Sequence, residues 1–170
     1  MSQPSGPSHW TWREAPLGGG PAVIVDVDGV ISDGSNRQHL AQARRWDEFF
    51  AGCPDDPPLE AAVALVNSLA SDITVVLLTA RPWSLLDDTV AWLKTHQVRW
   101  DLLILRPPNS GERSRAYKAA EVANLRQHGF DLLCALEDDP RNVEMYTEAN
   151  VPCVYIYSGY YEGRSFPTLS

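Results

Sequence analysis

The sequence predicts an α/β fold, with a five-stranded parallel, Rossmann-like sheet between two layers of helices. Three observations carry this expectation. Five short apolar runs are continuous rather than alternating, as strands covered on both faces are. Amphipathic, helix-period stretches separate them. Polar and charged residues follow the first four runs at their carboxyl ends, where open α/β sheets bind ligands.

Residues 1–20, with SQPSGPS and PLGGG, read as a flexible tail, and residues 21–170 as one domain. The tail lacks the basic start and apolar stretch of a signal peptide. The GGG before the first run is no dinucleotide fingerprint, because that motif follows its strand. The runs are AVIVD (22–26), ITVVLL (73–78), DLLIL (101–105), LLCAL (132–136) and CVYIY (153–157). Between them, PPLEAAVALVNSLAS places Leu59, Ala62, Val63, Val66 and Leu69 at three- and four-residue steps, after prolines suited to a helix start. SLLDDTVAWLKTH and ERSRAYKAAEVANLRQH are similar, and Gly129 stops the latter. The connection from Asp28 to Ile73 is about twice what a simple crossover requires. Residues 30–56 are therefore read as a small cap insertion where a lid would sit.

The chain's 170 residues suffice for one real core. No apolar run approaches the roughly 20 residues of a membrane span, so the expectation is a cytoplasmic protein without a membrane partner. A formal net charge of −8 argues against a broad nucleic-acid-coating surface, though not against a small basic pocket for one phosphate end. Cys53, Cys134 and Cys153 are far apart and form no C-x-x-C, and Cys134 and Cys153, which sit in apolar runs, read as buried thiols. Nothing in the sequence fixes the oligomeric state, and an oligomer is compatible with it.

The polar residues after the runs carry the chemistry. They are Asp26-Val-Asp28-Gly29, Thr79-Ala80-Arg81, Arg106, and Glu137-Asp138-Asp139, with Lys118 in the helical stretch before the fourth run. All would converge on one sheet edge, and the set suits phosphoryl transfer. A hard cation such as Mg²⁺ takes carboxylates, here Asp26, Asp28 and Asp138, plus a phosphate oxygen and waters. Asp26 can attack phosphorus as a nucleophile, while Asp28 can serve as acid and base. The Thr79 hydroxyl, nearby backbone N–H groups such as that of Ala80, and the Lys118 ammonium can hold phosphate oxygens. Pro82 suits a first helical position, which would aim a helix N-terminus at the Thr79–Arg81 turn.

DVDGV, LLTAR, Lys118 and LEDD, in that order, resemble the four motifs of the haloacid dehalogenase superfamily of phosphohydrolases over about residues 22–160. EDDPRNVEMY, Arg106 and the insertion with RRWDEFF resemble more closely the 3′-phosphatase domains of bacteriophage polynucleotide kinase-phosphatases. The resemblance implies that fold with a minimal cap, and a Mg²⁺-dependent phosphatase acting through an aspartyl-phosphate. It implies Asp26 as nucleophile and Asp28 as acid/base. Thr79, Arg81, Arg106 and Lys118 would bind phosphate or substrate, and Asp138 the metal. The implied substrate is a polynucleotide 3′-phosphate end or a nucleotide. No G-x-x-x-x-G-K accompanies it, so no kinase half is implied. A phosphatase of a sugar phosphate or 5′-nucleotide is the alternative, and a catalytically silent phosphate-binding module a third.

Several residues have a plainer reading. Arg81 and Arg106 could be surface arginines and Lys118 a solvated helix lysine. Glu137 and Asp139 could cap the helix after the fourth strand. Trp46, Phe49 and Phe50, close to Arg37, Arg44 and Arg45, suit base stacking beside phosphate contacts, or simply dock the insertion on the core.

Overall fold

Along the central strand, Ala22 and Ile24 enter one apolar core and Val23 and Val25 the other. A strand buried on both faces cannot alternate with polar residues, which is why its sequence is a continuous apolar run. The computed structural model describes residues 6–108, 110–111 and 113–163. The start of the expected tail (1–5), Asn109, Glu112 and the end of the expected domain (164–170) lie outside the described residues.

Among the described residues six strands form one sheet: β1 (Trp10–Trp12), β2 (Gly20–Val25), β3 (Thr74–Pro82), β4 (Leu102–Arg106), β5 (Phe130–Glu137) and β6 (Cys153–Tyr155). Their order is β1-β4-β3-β2-β5-β6. β2 pairs in parallel with both β3 and β5, so successive connections leave it in opposite directions. That reversal opens a crevice at the carboxyl end of β2. The helices are α1 (Gln38–Gln42), α2 (Trp46–Ala51), α3 (Glu60–Asn67), α4 (Leu86–Thr95), α5 (Ser114–Gln127) and α6 (Pro140–Glu148). Val63 and Val66 of α3 and Trp92 and Leu93 of α4 fill one core. Tyr117, Val122 and Leu125 of α5 and Met145 and Tyr146 of α6 fill the other. The three-layer α/β/α arrangement expected from the sequence is present. No helix among the described residues is long and apolar enough to cross a membrane.

Four features depart from expectation. Residues 10–12 are not tail: β1 pairs antiparallel with β4 and adds a sixth strand. Trp10 is buried, and its indole N–H donates to Glu121 at 2.8 Å. Second, β3 runs through Thr79–Arg81 to Pro82, which pairs with Arg106. A 3₁₀ helix, Trp83–Leu85, follows with Pro82 at its N-cap and runs straight into α4 at Leu86, so Pro82 stands just before the helix rather than at its first position. Third, Val30 and Ile31 are fully buried core residues, and the insertion leaves the core only after them. Fourth, Cys53 is the buried cysteine, while Cys134 and Cys153 are half-buried beside the edge strand β6.

Candidate active site

β2 delivers Asp26 to the crevice, where its N–H donates to the Leu136 carbonyl at 3.0 Å. The chain then turns tightly. The Val27 carbonyl accepts from the N–H groups of Ile31 (3.0 Å) and Ser32 (2.9 Å). Gly29 sits at φ +83°, and a Cβ there would lie 2.0 Å from Asp138 Oδ2. Glycine is thus required twice, by the backbone angle and by the close approach of a carboxylate.

Asp26, Glu137 and Asp138 form one cluster, with carboxylate oxygens within 4.8 Å of one another. Glu137 is fully buried and fully used. It accepts from Lys118 Nζ at 2.7 Å and from the N–H groups of Asp138 (3.2 Å) and Asp139 (3.1 Å). Lys118 also reaches Asp26 at 3.0 Å. Its burial disfavours the charge, but Asp26 and Glu137 outweigh that and raise its pKa well above the ordinary value. Burial and the Glu137 charge push Asp26 well up, despite Lys118. Burial and Glu137 likewise raise Asp138 to about 8. Asp138 Oδ2 is buried and has no hydrogen-bond partner among the described residues. Crowded carboxylates with an orphaned oxygen want a proton or a cation, and an all-oxygen donor set fits a hard divalent ion.

Asp28 faces the other way. Arg81 donates to both its oxygens, Nε at 3.0 Å and Nη2 at 2.9 Å, and Arg37 Nη2 donates at 2.5 Å. Burial alone would raise the Asp28 pKa, yet the two guanidiniums win and hold it at about 2. Its carboxylate therefore does not join the metal-type cluster, contrary to the sequence expectation. The reason is that buried Arg37 and Arg81 need counter-charge. Behind them Asp56 accepts from Arg37 Nε at 2.9 Å and from the Ser32 hydroxyl at 2.8 Å. Arg37 also lies 4.2 Å from the Phe49 ring centre, so the insertion is clamped to the core.

A cavity of about 520 Å³ opens on these groups, lined by Asp26, Asp28, Thr79, Ala80, Arg81 and Lys118. Thr79 Oγ1 accepts from the Arg81 N–H at 3.2 Å. Arg106 lies apart, in an adjoining groove. Asp139 is the N-cap of α6, accepting from the Arg141 N–H at 3.0 Å, and it also pairs with the Arg141 guanidinium at 2.6 Å. Glu137 caps nothing and instead anchors Lys118. Phe49 is buried yet lines the cavity together with Trp46, Phe50, Tyr160 and Tyr161.

Sequence reasoning did not single out Ser32, Asp56, Asn142, Tyr160 or Tyr161, and it read Arg37 only as a basic neighbour of aromatics. The only local signal for the tyrosines is the G-Y-Y-x-G stretch after the last strand. Asp56 carries none, because its partner Arg37 lies 19 residues away.

With this geometry in hand, the comparisons are specific. The family profile of the polynucleotide kinase PNKP phosphatase domain, a haloacid dehalogenase-type family, matches residues 20–161. No curated protein matches the sequence. Two structures of the Pnkp1/Rnl/Hen1 complex, one of them titled an RNA repair complex, contain similar chains. They are 21% and 20% identical, with TM-scores of 0.65 and 0.69. Each match covers 86% of this chain but only 45% and 48% of the other, so this chain spans about half their length. A haloacid dehalogenase-like hydrolase from Streptococcus pneumoniae matches with a TM-score of 0.52 at 13% identity, over 79% of this chain and 83% of that one. At such identities the structural likeness speaks for the fold, and the family match speaks for the chemistry. The chain belongs to the PNKP phosphatase domain family of haloacid dehalogenase-type phosphohydrolases, and is a phosphoric monoester hydrolase.

Proposed function

We propose that this chain is a Mg²⁺-dependent phosphatase that works through an aspartyl-phosphate on Asp26, on the 3′-phosphate ends of polynucleotides or on nucleotides. One observation carries the chemistry. A single cavity wall joins the Asp26 carboxylate, the Lys118 ammonium and the Arg81 guanidinium, with the orphaned Asp138 oxygen behind it. A bound Mg²⁺, held by Asp26 and Asp138, would supply the charge that keeps Asp26 ionised beside an incoming anion. The Asp26 oxygen attacks phosphorus and the bond to the leaving oxygen breaks. Asp28 gives that oxygen a proton, then takes one from the water that cleaves the aspartyl-phosphate.

Asp28 begins as a carboxylate, because two arginines hold its pKa at about 2. Phosphate oxygens compete for the same guanidinium N–H groups. As Arg81, which lines the cavity, turns to the phosphate, Asp28 loses part of its counter-charge and can take up from solvent the proton it must donate, while Arg37 stays with Asp56. Lys118 and the Thr79–Arg81 backbone would hold the remaining phosphate charge.

The substrate reading rests on the family match and on the aromatic side chains around the cavity. Phosphate release should be measured with Mg²⁺ on 3′- and 5′-phosphorylated oligonucleotides, mononucleotides and sugar phosphates. The 3′-phosphorylated oligonucleotide should be hydrolysed fastest. Asp26→Asn should abolish turnover, and Asp28→Asn should slow it by about 10²–10⁴. A preference for sugar phosphates would replace the polynucleotide reading with the metabolite one. Near-normal turnover by pure Asp26→Asn would end the aspartyl-phosphate mechanism.

A further inference from the structure

The groove that holds Arg106 shares a wall with the catalytic cavity: Trp46, Phe50, Ser114 and Asn142 line both. Its volume is about 850 Å³. Four arginines, Arg106, Arg113, Arg115 and Arg141, face it against three carboxylates, Asp47, Asp139 and Glu144. That is a basic balance in a chain whose formal net charge is −8. Two of the arginines are already matched, Arg115 to Glu144 at 2.5 Å and Arg141 to Asp139 at 2.6 Å. Arg106 and Arg113 have no carboxylate within ion-pair distance among the described residues. Both line this groove and not the catalytic cavity.

Between the two basic sites stands an aromatic step. Trp46 is 50% exposed and stacks on Phe50, with ring centres 6.3 Å apart and planes at 30°. A half-exposed indole held by its neighbour offers a ready face to a planar group. One anion site, an aromatic step and a second anion site, in one continuous channel, match a phosphate, its nucleoside and the next phosphate.

We propose that this groove is a second subsite that takes the phosphodiester next to the reacting terminal phosphate, with Arg106 and Arg113 on its oxygens. Trp46 and Phe50 lie under the nucleoside between them. The occupant is a single nucleic-acid strand, and the shortest substrate to fill both sites is a dinucleotide with a terminal 3′-phosphate. The inference rests on the polynucleotide reading above and deepens it, because a site that recognised only the terminal phosphate would gain nothing from a second nucleotide.

The test compares kcat/KM for a 3′-phosphorylated mononucleotide and a 3′-phosphorylated dinucleotide, with Mg²⁺, in the wild type and in Arg113→Ala, the double variant Arg106→Gln/Arg113→Ala, and Trp46→Ala. The readout is the ratio within each protein, so a general loss of activity cancels. The dinucleotide should win by about tenfold or more, the scale of one added stacking and phosphate contact. Each variant should lower the ratio, and the double arginine variant should bring it close to one. The dinucleotide should also show the steeper salt dependence, by roughly 0.7 per added phosphate contact. A wild-type ratio near one with both substrates cleaved overturns the subsite and leaves the polynucleotide reading standing. A high ratio unchanged in the double variant overturns the arginine assignment. Failure to cleave either substrate, with sugar phosphates cleaved, overturns both.

Discussion

Glu137 should prove the most costly acidic residue of the site to remove, for stability rather than for contact with phosphate. Its carboxylate is fully buried and accepts three hydrogen bonds, from Lys118 and from the N–H groups of Asp138 and Asp139. Glu137→Ala would strand both N–H groups at about 1–3 kcal/mol each, and remove a charged hydrogen bond of about 1.5–3 kcal/mol. These terms are not additive, and Lys118 keeps Asp26 at 3.0 Å. The expected loss is therefore about 3–5 kcal/mol, the usual result of breaking one side of a buried pair. Glu137→Gln keeps an acceptor for the two N–H groups and also relieves the repulsion that raises Asp26 and Asp138. Its cost in chelator should be much smaller, about 1 kcal/mol. Urea unfolding in chelator, followed by tryptophan fluorescence, measures both. The unfolding slope should stay constant, so that the midpoint alone moves. A loss below about 1 kcal/mol for Glu137→Ala, less than one ordinary hydrogen bond, would refute the anchoring of Lys118 and the 137–139 turn.

Two further outcomes follow from the same cluster. Asp26 and Asp138 are raised acids, Asp138 to about 8 from an ordinary 3.8. Their contribution favours the folded protein at low pH and is lost as pH rises through about 8, so metal-free protein should melt progressively lower from pH 5 to pH 8. Mg²⁺ replaces those protons, so the rise in Tm it causes should be larger at pH 8 than at pH 5; an equal rise at both would count against the cluster as the metal site. Gly29→Ala should lose stability and weaken Mg²⁺ binding together, because its Cβ would fall 2.0 Å from Asp138 Oδ2. Unchanged Mg²⁺ titration of this variant would contradict that packing.

Much of the fold was legible because buried parallel strands write themselves as unbroken apolar runs. β2, β3, β4 and β5 lie where AVIVD, ITVVLL, DLLIL and LLCAL indicated. β1 was hidden inside a Gly- and Pro-rich stretch, and its signal, Trp-Thr-Trp, is too short to stand as a period. Asp26, Asp28, Thr79, Ala80 and Arg81 stand at or just after the ends of their apolar runs and Lys118 in the helical stretch before the fourth run, and all six line one cavity. Arg106 was grouped with them by the same rule, but β4 sits one strand further out and delivers it to the adjoining groove. Side-chain direction was not legible. Asp28 turns toward Arg81, 53 residues on, and no local pattern encodes that pairing.

The charges of the site explain why it suits a cation. Five carboxylates (Asp26, Asp28, Asp56, Glu137 and Asp138) face three basic side chains (Arg37, Arg81 and Lys118), which leaves two negative charges at full ionisation. The surplus is not shared evenly. Asp28 and Asp56 are neutralised by guanidiniums and Glu137 by Lys118, so the excess falls on Asp26 and Asp138, the two acids whose affinity for protons is raised. Two protons or one divalent ion cancel it, and only the divalent ion would leave Asp26 ionised for the nucleophilic role proposed above. In the proposed mechanism the guanidinium side would meet the phosphate and the carboxylate side the cation, with Asp26 and Asp28 on either side of a single valine. In a continuous strand two aspartates spaced by one residue would share a face, but β2 ends at Val25 and the chain turns at Val27–Gly29, which lets Asp26 meet Lys118 while Asp28 meets Arg81.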